Sequence, residues 1–497
     1  MGLSGLVRRS PARSAFIAAI VLAAGLLTAW ASASPAGSSP DEHYHLASIW
    51  CGAGMEAPGR CELVPASNTV RVPRELSATW CHPHKPDESA ACMAAAPAMA
   101  SPYGEFPASY VNGITGNYPQ AYYAITGLLV TSNVTASLFL IRLVNAVIFI
   151  ALFFLILALS GPALRRALVL TWLVVLVPLG LFLVPSINPS SWAITGVGLA
   201  WAAALALAES TSRRRQWLLG GALVACVALA AMSRVDAAVY AVLAAAIGFA
   251  LSPRARTLVR RRWQLVTIGV AAVIAAGVAG VVSTAQWGFV TAPVGGLGEG
   301  GTGLLFGNLL EVPQLWSGVL GSWGLGQLDV PLPSIVPVAG MLAVGGLLLS
   351  GLAAMWRAKA IALTLLLAVL ILSPALFLQS QQTTVGVWVQ PRYLLPLILV
   401  FVGIALLGSR PSDPRLSRLQ VTVIAALAVI AAAAALHRLL RRYVTGIDFS
   451  SWNLGDSPEW WWSGAPGPMW TWVFGTLCFA ALAALAAWFI AWARSTG

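Results

Sequence analysis

Residues 134–159 read VTASLFLIRLVNAVIFIALFFLILAL, an apolar stretch broken by a single charge, Arg142. A helix needs about 20 apolar residues to cross the hydrocarbon of a bilayer, and this stretch exceeds that. Similar runs lie near 15–33, 167–184, 191–208, 216–232, 235–251, 264–285, 336–355, 360–378, 393–408, 419–436 and 469–492. They predict an all-α integral membrane protein of about 12 transmembrane helices. A membrane β-barrel would show short alternating strands instead of long Ala/Leu/Val runs. Composition agrees: 58% of the 497 residues are hydrophobic and 9% are charged, against about 25% charged in soluble domains. A soluble cytosolic enzyme, a disordered chain and a nucleic-acid-binding basic domain are excluded together.

The net charge of +12 reads as topology. With the N-terminus inside, the cytoplasmic segments hold 19 of the 29 basic residues, among them Arg8, Arg9, Arg13, Arg165, Arg166, Arg213, Arg214, Arg215 and Arg254. Of the 17 acidic residues only Glu209 and Asp413 fall there. Arg-rich short loops mark the cytoplasmic face, so both termini are expected inside, in a bacterial cytoplasmic (inner) membrane. Arg438, Arg441 and Arg442 dissent, on an interfacial helix or beside a misplaced span. The expected divisions are 1–34, the N-terminus and first helix; 35–133, an extracytoplasmic subdomain; 134–285, helices 2–7; and 286–335, a second outer loop. Helices 8–11 follow at 336–436, a Trp-rich outer loop at 437–468, and the last helix with the C-terminus at 469–497. The first run also has signal-peptide features, with Ala31-Ser32-Ala33 as a cleavage site; on either reading residue 35 emerges outside.

Residues 35–133 contain Cys51, Cys61, Cys81 and Cys92. Four cysteines in an exported loop suggest two disulfides, with three connectivities open. His82 and His84 beside Cys81 raise zinc, but no paired CxxC spacing supports it. Frequent Pro and Gly predict a small irregular subdomain with short helices. Trp460, Trp461 and Trp462 suit the headgroup level of the bilayer, with stacking on a sugar as the sharper alternative. The Gly-rich residues 295–303 lack the Gly-Lys-Ser/Thr of a phosphate loop.

Chemistry concentrates in Ser39-Pro40-Asp41-Glu42-His43-Tyr44-His45, immediately after the first run. A carboxylate here could take a proton from a hydroxyl or help hold a divalent cation such as Mg or Mn, and His45 could assist. Asp41 and His45 are four apart, on one face if a helix begins here. The competing reading is a capped interfacial helix with solvated charges. Arg392, with Tyr393 beside it, offers a forked guanidinium to phosphate oxygens, or anchors the helix at the interface. Arg234 and Asp236 either pair locally or face a substrate; Asn188-Pro189 shapes a turn and caps the next helix.

The string at 39–45 resembles the Pro-Asp-Glu-x-x-His signature of a bacterial multi-pass family, domain-of-unknown-function family 2142. Leu140-Ile141-Arg142-Leu143, Ser186-Ile187-Asn188-Pro189-Ser190 and Gly321-Ser322-Trp323-Gly324 with Leu328-Asp329 and Leu332-Pro333 are similar to its further motifs. So is Gln390-Pro391-Arg392-Tyr393-Leu394-Leu395-Pro396, where Pro391 replaces a usual Gly. That family is in turn similar to the C-type glycosyltransferase superfamily (GT-C), whose members use polyprenyl-phosphate-linked sugars. The resemblance implies a GT-C-like fold, with Asp41 or Glu42 as base and a cell-envelope glycan, lipid or protein as acceptor. Arg392, Tyr393, Arg234 and Asn188, polar residues at the outer ends of spans, are the candidate substrate-binding residues. Two alternatives stand beside the glycosyltransferase reading: a transporter or flippase of lipid-linked or small solutes, and a non-catalytic envelope assembly factor docking through the disulfide loop.

Overall fold

The computed structural model describes residues 11–57, 59–95, 103–255, 257, 260, 301–387, 389–408 and 416–495. Among them, eight helices are long and apolar enough to cross a membrane: Arg13–Ser32, Val134–Leu159, Pro189–Glu209, Arg213–Ser233, Ile335–Leu352, Arg357–Ser380, Arg418–Val444 and Pro468–Ile490. Val235–Ala250 and Pro391–Ala405 are shorter apolar helices. The expected span at 167–184 is broken into Pro162–Val175 and Leu179–Leu183. The break falls at Pro178, whose ring removes an amide donor and crowds the preceding turn. The expected span 264–285 and residues 295–300 of the Gly-rich stretch lie outside the described residues. Gly301–Val319, expected within a loop, is a helix packed against helices 357–380 and 391–405.

Helix 189–209 is the axis of the bundle, with 94% of its apolar window buried. It packs on helices 134–159, 213–233, 235–250 and 391–405. Small residues permit this closeness, as membrane helices require. A Cβ on Gly196 would collide with the Cys226 carbonyl, and one on Gly248 with the backbone of Trp201. Helix 213–233 runs back beside helix 189–209, so Asn188 and Arg234 lie at one end of the bundle and Arg213–Arg215 at the other, about 30 Å away along the helices.

The all-α expectation needs a correction. Strands β1 (Glu56–Ala57), β2 (Cys61–Val64), β3 (Thr69–Pro73) and β4 (Tyr103–Pro107) form an antiparallel sheet in the order β1-β2-β3-β4. Val70 and Val72 alternate inward along β3, the period of two expected of a half-buried strand. Disulfides Cys51–Cys61 and Cys81–Cys92 clip this subdomain. It stands at the bundle end that carries Asn188 and Arg234, joined to it through Glu42–Trp50 and Gln120–Gly127. Helix 418–444 runs eight residues past the expected end at 436, which places Arg441 and Arg442 in its last turns, both buried.

Candidate functional site

Between the first long helix and helix 42–50, the chain runs through residues 33–41 without regular structure, so its backbone groups need partners from elsewhere. Side chains from distant segments supply them. Arg142 donates to the carbonyls of Ala31, Ser34 and Pro35 at 2.7–2.8 Å. Trp462 Nε1 reaches Ser32 O (2.9 Å), His82 Nε2 reaches Ala36 O (3.1 Å), and Gln327 Nε2 reaches Gly37 O (2.8 Å). Tyr443 donates to Ser38 O at 3.3 Å, while Asn188 and Arg392 both donate to Pro40 O at 2.6 and 2.8 Å. Residues more than 400 positions apart thus fix one short connector.

The two adjacent carboxylates have different surroundings. Glu42 is fully buried; its Oε1 lies 3.2 Å from Arg142 Nη2, and its Oε2 accepts from Ser39 N at 2.7 Å. It closes the turn. Asp41 holds the N-cap position of helix 42–50 yet makes no side-chain cap bond, and its φ of 58° is left-handed. An N-cap Asp normally accepts from the first turn, and left-handed backbone is uncommon outside glycine, although Asp tolerates it. The carboxylate instead pairs with Arg392, whose side chain is 3% exposed while that of Asp41 is 43% exposed. Burial alone would raise the Asp41 pKa; the Arg392 guanidinium overcomes this and holds it at about 2.

From Arg392 the contacts close into a ring. Arg392 Nη2 also donates to Tyr393 OH at 3.1 Å. The Arg234 guanidinium lies 4.1 Å from the Tyr393 ring centre, pairs with Asp236 and donates to Ser190 Oγ at 3.2 Å. Asn188 Oδ1 caps the helix at Ser190 N and its amide returns to Pro40 O. Asn188, Arg234, Arg392 and Tyr393 therefore meet in one network around Pro40 and Asp41. Beside it a narrow cleft is lined by Pro40, Trp323, Leu328, Gln390, Pro391 and Arg392, among others. On this wall Arg392 Nε and Gln390 Oε1 are buried and have no hydrogen-bond partner among the described residues.

His45 is buried, with Nδ1 2.9 Å from Tyr123 OH, and burial pulls its pKa down to about 3. It is a neutral ring packed among Tyr44, Tyr118 and Tyr123. Two contributors escaped the sequence reading. His43 lies 3.2 Å from Gln327 and against Trp80. Asp329 pairs with Arg442 at 2.9 Å and accepts from the amides of Gln327 and His84. Both stood in quoted motifs, but nothing in the string connected them. Arg441 and Arg442 donate to backbone carbonyls of Ser451, Asn453, His82 and Glu88, so their charge is engaged within the protein. Trp462 packs edge-on against Phe139. No group of three or more His, Cys, Asp or Glu side chains among the described residues is gathered as a metal ion would need.

These features define a polytopic helical membrane protein with a polar, arginine-rich network at the bundle end that carries a disulfide-bonded subdomain. The chain belongs to the family described as "Predicted membrane protein (DUF2142)", which matches residues 24–401 and so takes in the whole ring around Asp41. No curated protein and no solved structure matches it.

Proposed function

We propose that this protein is a membrane glycosyltransferase that moves a sugar from a polyprenyl-phosphate-linked donor to a cell-envelope acceptor on the extracytoplasmic side of the inner membrane. Asp41 is the general base for the acceptor hydroxyl, and Arg392, steadied by Tyr393, Arg234 and Asn188, receives the donor phosphate. The observation that carries this reading is the state of Asp41: a half-exposed carboxylate on a left-handed turn, without its helix-cap bond, directed to a buried arginine. Glu42, closed in behind Arg142, anchors the turn that presents it. The adjoining cleft sets apolar residues beside the Arg392 guanidinium, whose fork suits a phosphate ester.

The test is transfer of radiolabelled sugar from a decaprenyl-phosphate-linked donor by the purified full chain in nanodiscs. General-base loss costs about 10²–10⁴ in rate, so Asp41→Asn should lose at least about 100-fold. Full transfer by a folded Asp41→Asn protein would falsify the assignment.

A further inference from the structure

The Asp41–Arg392 pair joins an open group to a closed one, because the aspartate reaches solvent and the arginine does not. Arg392 is also the charged residue on the wall of the cleft, where Leu179, Trp323, Leu328 and Pro391 are apolar. A guanidinium carries five donors. Here they serve Pro40 O, Tyr393 OH and Asp41, while the buried Nε serves no acceptor among the described residues. The Nε of Arg142, Arg441 and Arg442 is likewise buried without an acceptor, so it is the place of Arg392 on the cleft wall, beside a half-exposed carboxylate, that singles it out. Pro40 O and Tyr393 OH can keep their bonds to Arg392 whether or not Asp41 does, so the aspartate is the one partner able to leave without dismantling the ring.

We propose that the Asp41–Arg392 ion pair is a latch over an anion subsite: a phosphate ester entering the cleft competes with Asp41 for Arg392 and frees the carboxylate as it binds. This deepens the reading given above, on which the freed carboxylate is the base. In the resting protein Asp41 is held at about 2 by its arginine, too acidic for an effective base near neutral pH. Shifting the guanidinium onto a phosphate removes that hold. Donor binding and base release thus become one event, and without donor the carboxylate stays engaged and cannot activate water. The apolar wall and the position at the bundle end favour a lipid-borne phosphate over a free one.

The latch makes an opposite-sign prediction. Asp41→Asn removes the competing charge but keeps a residue that tolerates the left-handed turn. It should bind decaprenyl phosphate in nanodiscs roughly threefold or more tightly than the native chain. Arg392→Lys, which loses the fork, should bind it more weakly than the native chain, and uncharged decaprenol should show no Asp41→Asn gain. Inorganic phosphate that reproduces the gain also supports the latch and assigns the subsite to free anions. Unchanged or weaker binding by Asp41→Asn overturns it, as does an equal gain for decaprenol. These outcomes are independent of sugar transfer, so the latch and the glycosyltransferase reading can fail separately.

Discussion

At the scale of single residues, Asp41 and Glu42 adjoin in sequence yet should respond unequally to loss of charge. Glu42→Gln leaves Arg142 buried without its counter-ion, a change that costs about 3–5 kcal/mol when a buried pair loses one partner. Thermal unfolding should show that loss. Asp41→Asn also takes a counter-ion from a buried arginine, Arg392, but solvent reaches the Asp41 end of that pair, so its midpoint should fall less; equal midpoints for the two variants would refute this division of roles. His43 yields a second expectation. The Gln327 amide donates to Gly37 O, which can only accept, and its remaining hydrogen faces His43 Nδ1. That ring nitrogen is therefore the acceptor and the proton sits on Nε2. Nitrogen-15 spectra of histidine-labelled protein should show His43 in the Nε2–H form at pH 7, and a proton on Nδ1 would contradict the geometry. The string 39–45 was recognisable as a candidate site from its density of carboxylates and imidazoles. Which carboxylate stays half-exposed was not, because their partners Arg142 and Arg392 arrive from 100 and 351 residues away.

At the scale of elements, apolar length revealed the long helices because a bilayer imposes it, whereas the sheet was hidden by strands of two to five residues. Alternation is not diagnostic in pieces that short, and the neighbouring Pro and Gly read as loop. His82 ties that subdomain to the connector at Ala36, and His45 ties helix 42–50 to Tyr123, so packing around the connector is sensitive to acid. Burial lowers His45 from 6.5 to about 3 and His82 from 6.5 to about 4. Both are neutral when folded and take up protons near 6.5 when unfolded, so their contribution is complete above that value and declines as pH falls below it. Each loses up to about 1.4 kcal/mol per pH unit, roughly 4 kcal/mol for the pair between pH 7 and pH 5. Asp41 belongs to a lower window, between 3.8 and about 2, and does not contribute here. A midpoint that stays flat from pH 7 to pH 5, or falls equally in a His45→Gln, His82→Gln protein, would disprove the assignment. The disulfides close loops with sequence separations of 10 and 11, worth about 2–3 kcal/mol each by chain entropy. Reduction should lower the same midpoint.

At the scale of the whole molecule, the charge pattern and the course of the helices can be combined. Helices 189–209 and 213–233 place Arg213, Arg214 and Arg215 at the end remote from Asp41, and helix 357–380 begins with Arg357 at that same end while its C-terminal end approaches the site. The dissenting group at 438–442 lies at the site end, but two of its three arginines are buried and all three donate to backbone carbonyls. Arginines held inside folded protein differ from those of a flexible loop, whose excess sets orientation. Setting them aside leaves the basic residues of the described connecting turns concentrated at the remote end, so that end should face the cytoplasm and the sheet subdomain the opposite compartment. Ser39 is buried and would report poorly, whereas Glu62 on β2 and Ser212 in the remote turn are exposed. In intact cells a membrane-impermeant maleimide should label Glu62→Cys directly and Ser212→Cys only after permeabilisation. The two remaining native thiols, Cys226 and Cys478, are buried and should stay silent. The reverse pattern would invert the protein in the membrane and place Asp41 on the cytoplasmic side, where an extracytoplasmic lipid-linked donor could not reach it.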